Sequence, residues 1–323
     1  MNLLNHATQK PPLKGGGAKQ TTHTILMIEP VAFGFNDQTA VNNYFQQKNT
    51  TAVSNIQLQA LEEFKEMVDL LQAKGITVLV VKDTPEPLTP DSIFPNNWVS
   101  FHEGGQAVLY PMFAENRRKE RRNDIFRYLS GQGLFIHNID DFSFWEEQDL
   151  YLEGTGSMVL DRTNKIAYAA LSERTSKNIF LQFCMLFEYK PVYFFANQTV
   201  NSKRLPVYHT NVVMTVADEY AVICLDAIDN QTERNLVVNS LEDSGKDIIP
   251  ITQYQMNCFA GNMLQVENAD GKLFLVLSQT AFDSLDQKQI NLLSSYNELI
   301  VISIPTIERV GGGSVRCMMA EVF

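Results

Sequence analysis

Asn97-Trp98-Val99-Ser100-Phe101, Glu103-Gly104-Gly105 and Gln106-Ala107-Val108-Leu109-Tyr110 read, in that order, as a strand, a glycine turn and a second strand, which is a β-hairpin. The same pattern returns three times further along the chain. Ser157–Leu160 and Lys165–Leu171 flank Arg162-Thr163-Asn164; Asn211–Val216 and Ala221–Leu225 flank Asp218-Glu219; Asn262–Val266 and Lys272–Leu277 flank Asn268-Ala269-Asp270-Gly271. After each hairpin comes an amphipathic stretch of helical period, near Glu115–Leu129, Glu173–Glu188, Gln231–Ser244 and Ala281–Tyr296. A β-rich run closes each unit: Leu134–His137, Val192–Phe195, Ile248–Ile251 and Leu299–Ile304.

A fifth helix lies nearer the N-terminus. Asn55–Lys74 carries Ile56, Leu58, Leu61, Phe64, Val68 and Leu71 at helical spacing, stops at Gly75, and leads into Ile76–Val81. Only one strand, Thr24–Ile28, precedes it. Its missing partner is at the other end of the chain, in Ser314–Val322, so the two ends are expected to pair and close a ring. Asn97, Ser157, Asn211, Asn262 and Ser314 then open equivalent strands at spacings of 60, 54, 51 and 52 residues. Hairpin–helix–strand units of this length bury their faces on one another as a radial array. A doubly wound sheet has no hairpin in every unit. The expectation is one α/β domain over residues 24–323, a five-bladed pseudo-symmetric propeller of ββαβ units, preceded by a flexible tail over residues 1–23.

The bulk properties narrow the function. The 323 residues are 45% apolar and carry a formal charge of −11, a surface that repels phosphate backbones, so no nucleic-acid partner is expected. No apolar run reaches membrane-spanning length, and no signal-peptide core opens the chain. The four cysteines, Cys184, Cys224, Cys258 and Cys317, lie far apart with no ligand spacing, which argues against zinc and against a disulfide framework. The expectation is a cytoplasmic protein with no metal and no cofactor; a homo-oligomer is left open.

If the strand openings converge on an axis, chemistry should collect there. Asp91 stands six residues before Asn97, with Asn96 adjacent; Glu153 four before Ser157; His209 two before Asn211; Cys317 three after Ser314. Cys258 and Asn262 in the fourth unit are less telling. Gly311-Gly312-Gly313 removes side chains just ahead of the Cys317 thiol, where a small substrate needs room. Each residue has an ordinary structural reading as a turn or cap. A thiol, an imidazole and two carboxylates at matched repeat positions require four coincidences if none is functional.

At this point the sequence resembles the pentein, or guanidino-group-modifying, superfamily, which includes arginine and agmatine deiminases, amidinotransferases and dimethylarginine hydrolases. The resemblance rests on Asp91-Ser92-Ile93-Phe94-Pro95-Asn96-Asn97-Trp98, Leu152-Glu153-Gly154, Leu171-Ser172-Glu173-Arg174-Thr175, Tyr208-His209-Thr210-Asn211 and Gly311-Gly312-Gly313-Ser314-Val315-Arg316-Cys317-Met318. It covers the chain from about residue 24, and the family's five-bladed α/β propeller agrees with the repeat. Within the superfamily the chain is most similar to amidinotransferase-like citrulline utilisation hydrolases.

The resemblance implies Cys317 as nucleophile, His209 as general acid and base, and Glu153 as the acidic partner of the imidazole. It implies that Asp91, Asn96 and Asn97 bind substrate and that Arg174 holds its carboxylate. Arg117, Arg118, Arg121 and Arg122 read first as a solvated helix face paired with Glu115 and Glu120; by analogy with dimethylarginine hydrolases, Arg117 or Arg118 reaches the pocket. Deiminases carry acids where Asn97 and Asn211 stand. A carboxylate suits a guanidinium cation, whereas an asparagine, with donors and an acceptor, suits a neutral ureido group. The expected reaction is therefore hydrolysis of a ureido amino acid, citrulline to ornithine, ammonia and carbon dioxide, through a carbamoyl-thioester on Cys317. A deiminase or dimethylarginine hydrolase-like activity on guanidino compounds, an amidinotransferase and a non-catalytic binding propeller are the alternatives.

Overall fold

The computed structural model describes residues 18–48 and 53–323. Among them the strands form five three-stranded sheets and one two-stranded hairpin. Four of the three-stranded sheets follow one rule: an antiparallel hairpin, then a third strand parallel to the second hairpin strand. In the unit that decided the reading, Val99–His102 pairs antiparallel with Gln106–Leu109, in register Val99↔Leu109, and Gln106–Leu109 runs parallel to Asn138–Asp141. The others are Val159–Asp161, Ile166–Ala170 and Lys190–Phe194; Met214–Val216, Tyr220–Ile223 and Asp247–Pro250; and Leu264–Glu267, Leu273–Ser278 and Glu298–Ile302.

The fifth sheet joins the chain ends. Thr24–Glu29 pairs parallel with Thr77–Lys82 and antiparallel with Ala320–Val322, in register Thr24↔Val322 and Leu26↔Ala320. First strands of neighbouring sheets touch: Ala320–Val322 lies against Val99–His102, and Val159–Asp161 against Met214–Val216. The longer helices pack on third strands: Val53–Ala73 on Thr77–Lys82, and Lys177–Leu186 on Lys190–Phe194. Val53–Ala73 buries Ile56, Ala60, Phe64, Met67 and Leu71 on one face, while Leu58, expected in that face, is exposed.

Several boundaries differ from the expectation for local reasons. The second helix is broken into Glu115–Arg118 and Asn123–Gly131, and the last into Gln279–Ser284 and Gln287–Tyr296, where Asp286 starts a fresh capping box with Gln289. The third strand of the first hairpin unit is Asn138–Asp141, just beyond the predicted run. The small polar residues do not open extended strands. Asn97 and Ser157 end short helical turns, Pro95–Asn97 and Gly154–Ser157, while Asn211 lies within Thr210–Val213 and Ser314 caps Val315–Met318.

Of the expected N-terminal tail, residues 1–17 lie outside the described residues, and the remainder is a correction. Gln20, Thr21 and Thr22 are buried. The Gln20 amide donates to Leu160 O and Val216 O, at 3.0 Å each, and accepts from Arg162 N at 2.7 Å, tying two other sheets together. Thr22 Oγ1 donates to Val322 O at 2.5 Å beside the closing strand. The two-stranded hairpin, Asn197–Val200 with Lys203–Pro206, falls outside the repeat and was not expected.

Candidate active site

The turns that precede the first strands bring the singled-out residues to one buried cleft, lined among others by Asp91, Asn97, Arg117, Arg174, Tyr208, His209, Gly311–Gly313 and Cys317. Cys317 comes in on the short helix Val315–Met318, its backbone N–H bonded to Ser314 O at 2.9 Å. Ahead of it, Pro305–Gly311 ends on Gly312 in the left-handed region (φ 66°), a helix stop that glycine takes without strain. The carbonyl of Gly312 accepts from Tyr208 OH at 2.6 Å, so the glycine turn is anchored to the residue next to His209. Two amide donors point at the sulfur: Asn211 Nδ2 at 3.5 Å and Asn262 Nδ2 at 3.4 Å.

The same cleft holds a buried, hydrogen-bonded imidazole–carboxylate pair. His209 Nε2 is 2.7 Å from Glu153 Oε2, and Glu153 Oε1 accepts from Phe113 N at 3.0 Å. Thr210, the next residue, ties this turn to its neighbours: its Oγ1 donates to Ser157 O at 2.6 Å and accepts from Ala170 N at 2.7 Å. Burial would raise the Glu153 carboxyl, but Arg174, His209 and Arg117 hold it down at about 2, so it is a carboxylate. Burial, with Arg174 and Arg117, brings His209 down to about 4 against the pull of Glu153. A carboxylate only accepts, so the neutral imidazole carries its proton on Nε2 and leaves Nδ1 as base.

Gly156 allows this arrangement. A Cβ there would stand 2.8 Å from both His209 Cε1 and Nδ1 and 2.5 Å from Asn97 Nδ2. Gly156→Ala is expected to push the ring off Glu153 and to lower kcat by about two orders of magnitude with the protein still folded, read by steady-state kinetics beside a thermal melt. Kinetics within about twofold of the parent would show the ring free to move aside.

Asp91 is fully buried. Asn36 Nδ2 donates to its Oδ2 at 2.7 Å and Thr39 Oγ1 at 3.3 Å, while Oδ1 has no partner among the described residues. Burial raises this carboxyl, with Arg117 and Asn36 opposing. Asn97 Nδ2 donates to Asn96 Oδ1 at 3.0 Å, and Asn96 Nδ2 to Thr155 Oγ1 at 3.3 Å. Arg174 lies under the Tyr208 ring, its Nη2 donating to Thr39 O at 2.7 Å, its Nε to Asn42 Oδ1 at 2.8 Å, and its Nη1 3.6 Å from Glu153 Oε2.

The basic run divides. Arg117 is buried, not solvated, with Nε and Nη2 each 2.9 Å from Glu120 and Nη1 donating to Asn97 Oδ1 at 2.7 Å. Arg118 turns away from the cleft to Met112 O, Phe113 O and Glu146, which corrects its place among the site candidates. The Asn-rich segment after the first strand was missed: Thr39 and Asn43 line the cleft, and Asn43 Nδ2 bonds Gly312 O at 3.2 Å. Asn262, passed over as uninformative, is a contact of the sulfur. Among the described residues no His, Cys, Asp and Glu cluster is placed to hold a metal ion, and no helix is long and apolar enough to cross a membrane.

Solved structures share this fold. The structure resembles ArgZ, an arginine dihydrolase from the ornithine-ammonia cycle in Cyanobacteria, with a TM-score of 0.70 at 16% identity over 93% of this chain; the chain spans 40% of that protein's length. It covers 97% of the separate N-terminal domain of ArgZ bound to substrate, with a TM-score of 0.67 at 16% identity over 93% of this chain. It also resembles DDAH from Pseudomonas aeruginosa, solved as a cysteine-to-serine mutant complexed with citrulline, with a TM-score of 0.61 at 14% identity over 94% of this chain and 100% of that one. No curated protein matches the chain in sequence. A family model described as N,N dimethylarginine dimethylhydrolase, eukaryotic, matches residues 29–323, and the chain belongs to that family, within the pentein superfamily.

Proposed function

We propose that the five sheets are blades about a pseudo-fivefold axis and that the cleft at its end hydrolyses a ureido amino acid, citrulline by preference. The shared topology of the sheets and the pairing of the chain ends support the first part. The second rests on one observation above all: thiol, imidazole and carboxylate from three units meet in a buried cleft whose polar lining at the strand openings is amide, not acid.

In this reading Cys317 gives its proton to His209 Nδ1 and the sulfur attacks the ureido carbon. The resulting imidazolium, held by Glu153, protonates the substrate nitrogen as its bond to that carbon breaks, and ornithine leaves. A carbamoyl group remains on the sulfur. Water then gives a proton to His209 and attacks that carbon; the sulfur leaves, and carbamate decays to ammonia and carbon dioxide. Asp91 Oδ1 accepts a substrate N–H, and Arg174 faces the carboxylate end. Arg117, with its donors taken by Glu120, Asn97 and backbone carbonyls, supports the cleft and does not bind the carboxylate.

One observation favours a second reading. The unpaired, buried Asp91 oxygen suits a guanidinium cation as well as a ureido N–H, so an arginine-type substrate is the competing assignment. Citrulline, arginine and N,N-dimethylarginine are incubated separately with the purified protein, and ornithine, citrulline, ammonia and dimethylamine are each quantified. Ornithine from citrulline at the highest kcat/KM supports the ureido reading. Turnover of a guanidino compound alone replaces it.

Acid should act on both rate and stability. The base form of His209 is lost only near pH 4, so kcat/KM is expected to hold through the range where an ordinary imidazole titrates and to fall toward pH 4. An unfolded imidazole binds its proton near 6.5 while the native one refuses it until about 4. Stability therefore drops on acidification across that window, by about 3 kcal/mol. Urea midpoints at several pH values check this, and His209→Gln should remove that part of the slope.

A further inference from the structure

We propose that Glu120, acting through Arg117, fixes which way round Asn97 presents its amide, and so makes the cleft prefer an oxygen over an amino group at the reacting end of the substrate. The proposal deepens the ureido reading above and rests on it.

The argument follows from donor and acceptor counts. A guanidinium has five N–H donors and no acceptor. Arg117 spends Nε and Nη2 on the two oxygens of Glu120, at 2.9 Å each, a planar two-point grip that leaves Nη1 pointing at Asn97, 2.7 Å away. The Asn97 atom facing Nη1 must therefore be its oxygen. Its NH2 is turned the other way, one hydrogen on Asn96 Oδ1 at 3.0 Å, and the Asn96 NH2 passes the direction on to Thr155 at 3.3 Å. Each link runs the same way because Arg117, held by Glu120, has only N–H groups to offer Asn97. Asn97 thus offers the cleft a donor. Its Nδ2 sits beside the imidazole, since one Cβ built on Gly156 would meet both Asn97 Nδ2 and His209 Cε1.

The two substrate classes differ at this spot. A ureido group has a carbonyl oxygen for the Asn97 N–H and N–H groups for the unpaired Asp91 Oδ1. A guanidinium has only N–H groups, so it satisfies Asp91 but sets donor against donor at Asn97. Losing a partner for one buried polar group is worth about a tenfold or larger change in binding. Glu120 is buried and does not line the cleft, so it is a positioning residue. Without its carboxylate, Arg117 has a second anion ready: Asp91 Oδ2 lies 3.8 Å from Nε. A shift toward Asp91 Oδ2 releases Nη1 from Asn97 and frees that amide to turn its oxygen to the cleft.

The experiment measures binding, separately from turnover. In a Cys317→Ala background, calorimetry gives the Kd of L-citrulline and of L-arginine for the parent, for Glu120→Gln and for Arg117→Lys. Lysine keeps the charge but cannot grip Glu120 at two points and reach Asn97. A thermal melt of each protein reports folding. The expected result is a preference for citrulline in the parent that shrinks by about tenfold or more in both substituted proteins, mostly through weaker citrulline binding. If one variant does not fold, the other carries the same expectation. A uniform weakening of both ligands with the ratio preserved would show the Glu120–Arg117 pair to be structural only and overturn the proposal. A parent that binds arginine more tightly overturns the ureido reading itself, whatever the substitutions do to the ratio.

Discussion

Cys317→Ala is expected to abolish turnover, by at least about four orders of magnitude, while the protein stays folded. The sulfur is the one reactive atom in the cleft that can form and release an acyl bond, and alanine offers nothing in its place. The other buried thiols cannot stand in: burial pushes Cys184 up to about 12 and Cys224 up to about 11, in the core away from His209. The structural cost is small, because the change removes one sulfur and leaves the backbone bond to Ser314 intact. A loss of about 1 kcal/mol, or a Tm lower by about 2–4 °C, is the expected scale. Ornithine and ammonia release is measured beside a calorimetric melt. Trapping on the wild type with substrate, followed by intact-mass analysis, should show an adduct that the alanine variant lacks. Activity retained by the variant would remove Cys317 from the chemistry and the covalent scheme with it.

Much of this site was readable before any coordinates, and the reason is the repeat. The spacing of Asn97, Ser157, Asn211, Asn262 and Ser314 put residues far apart in sequence at equivalent places, and the pairing of Thr24–Glu29 with Ala320–Val322 brings Cys317 round to the other units. What the repeat could not supply was the direction of a side chain. Arg117 and Arg118 are neighbours of the same type; only the packing of a one-turn helix sends the first into the cleft and the second to Met112 O. The repeat placed Asn262 but could not show its role, because an amide has no reactivity to single it out; its Nδ2 is one of the two on the sulfur. The segment from Asn36 to Asn43 was hidden for another reason. It has no regular period, and its side chains act on backbone carbonyls of the glycine turn and on Asp91, contacts that leave no trace in hydrophobic spacing. Gln20 defeated composition: a polar stretch next to three glycines reads as tail, but its amide meets three backbone groups in the interior, where leaving them unpaired would be costly.

Glu153→Gln changes one atom and is expected to lower kcat/KM by about three to four orders of magnitude. The carboxylate now accepts on both sides, from Phe113 N at Oε1 and from His209 at Oε2. A glutamine must put its NH2 on one of them. Turned toward His209, it forces the imidazole into the other tautomer, with the proton on Nδ1 where the base is needed. Turned toward Phe113, it faces a buried N–H with another N–H. In either case the imidazolium that forms during the reaction has lost its counter-charge, while Arg174 remains 3.6 Å from where the second oxygen stood. Glu153 pulls the His209 pKa upward, against burial and the two arginines. Removing it should therefore carry the imidazole still further below about 4 and displace the acid limb of the rate profile to lower pH. A packing defect alone would lower the rate at every pH and leave that limb in place. The profile of the glutamine variant, taken with its KM, separates the two: a shifted limb with a small change in KM identifies Glu153 as the partner that charges and orients His209, and a variant within about tenfold of wild type at all pH values would assign that work elsewhere.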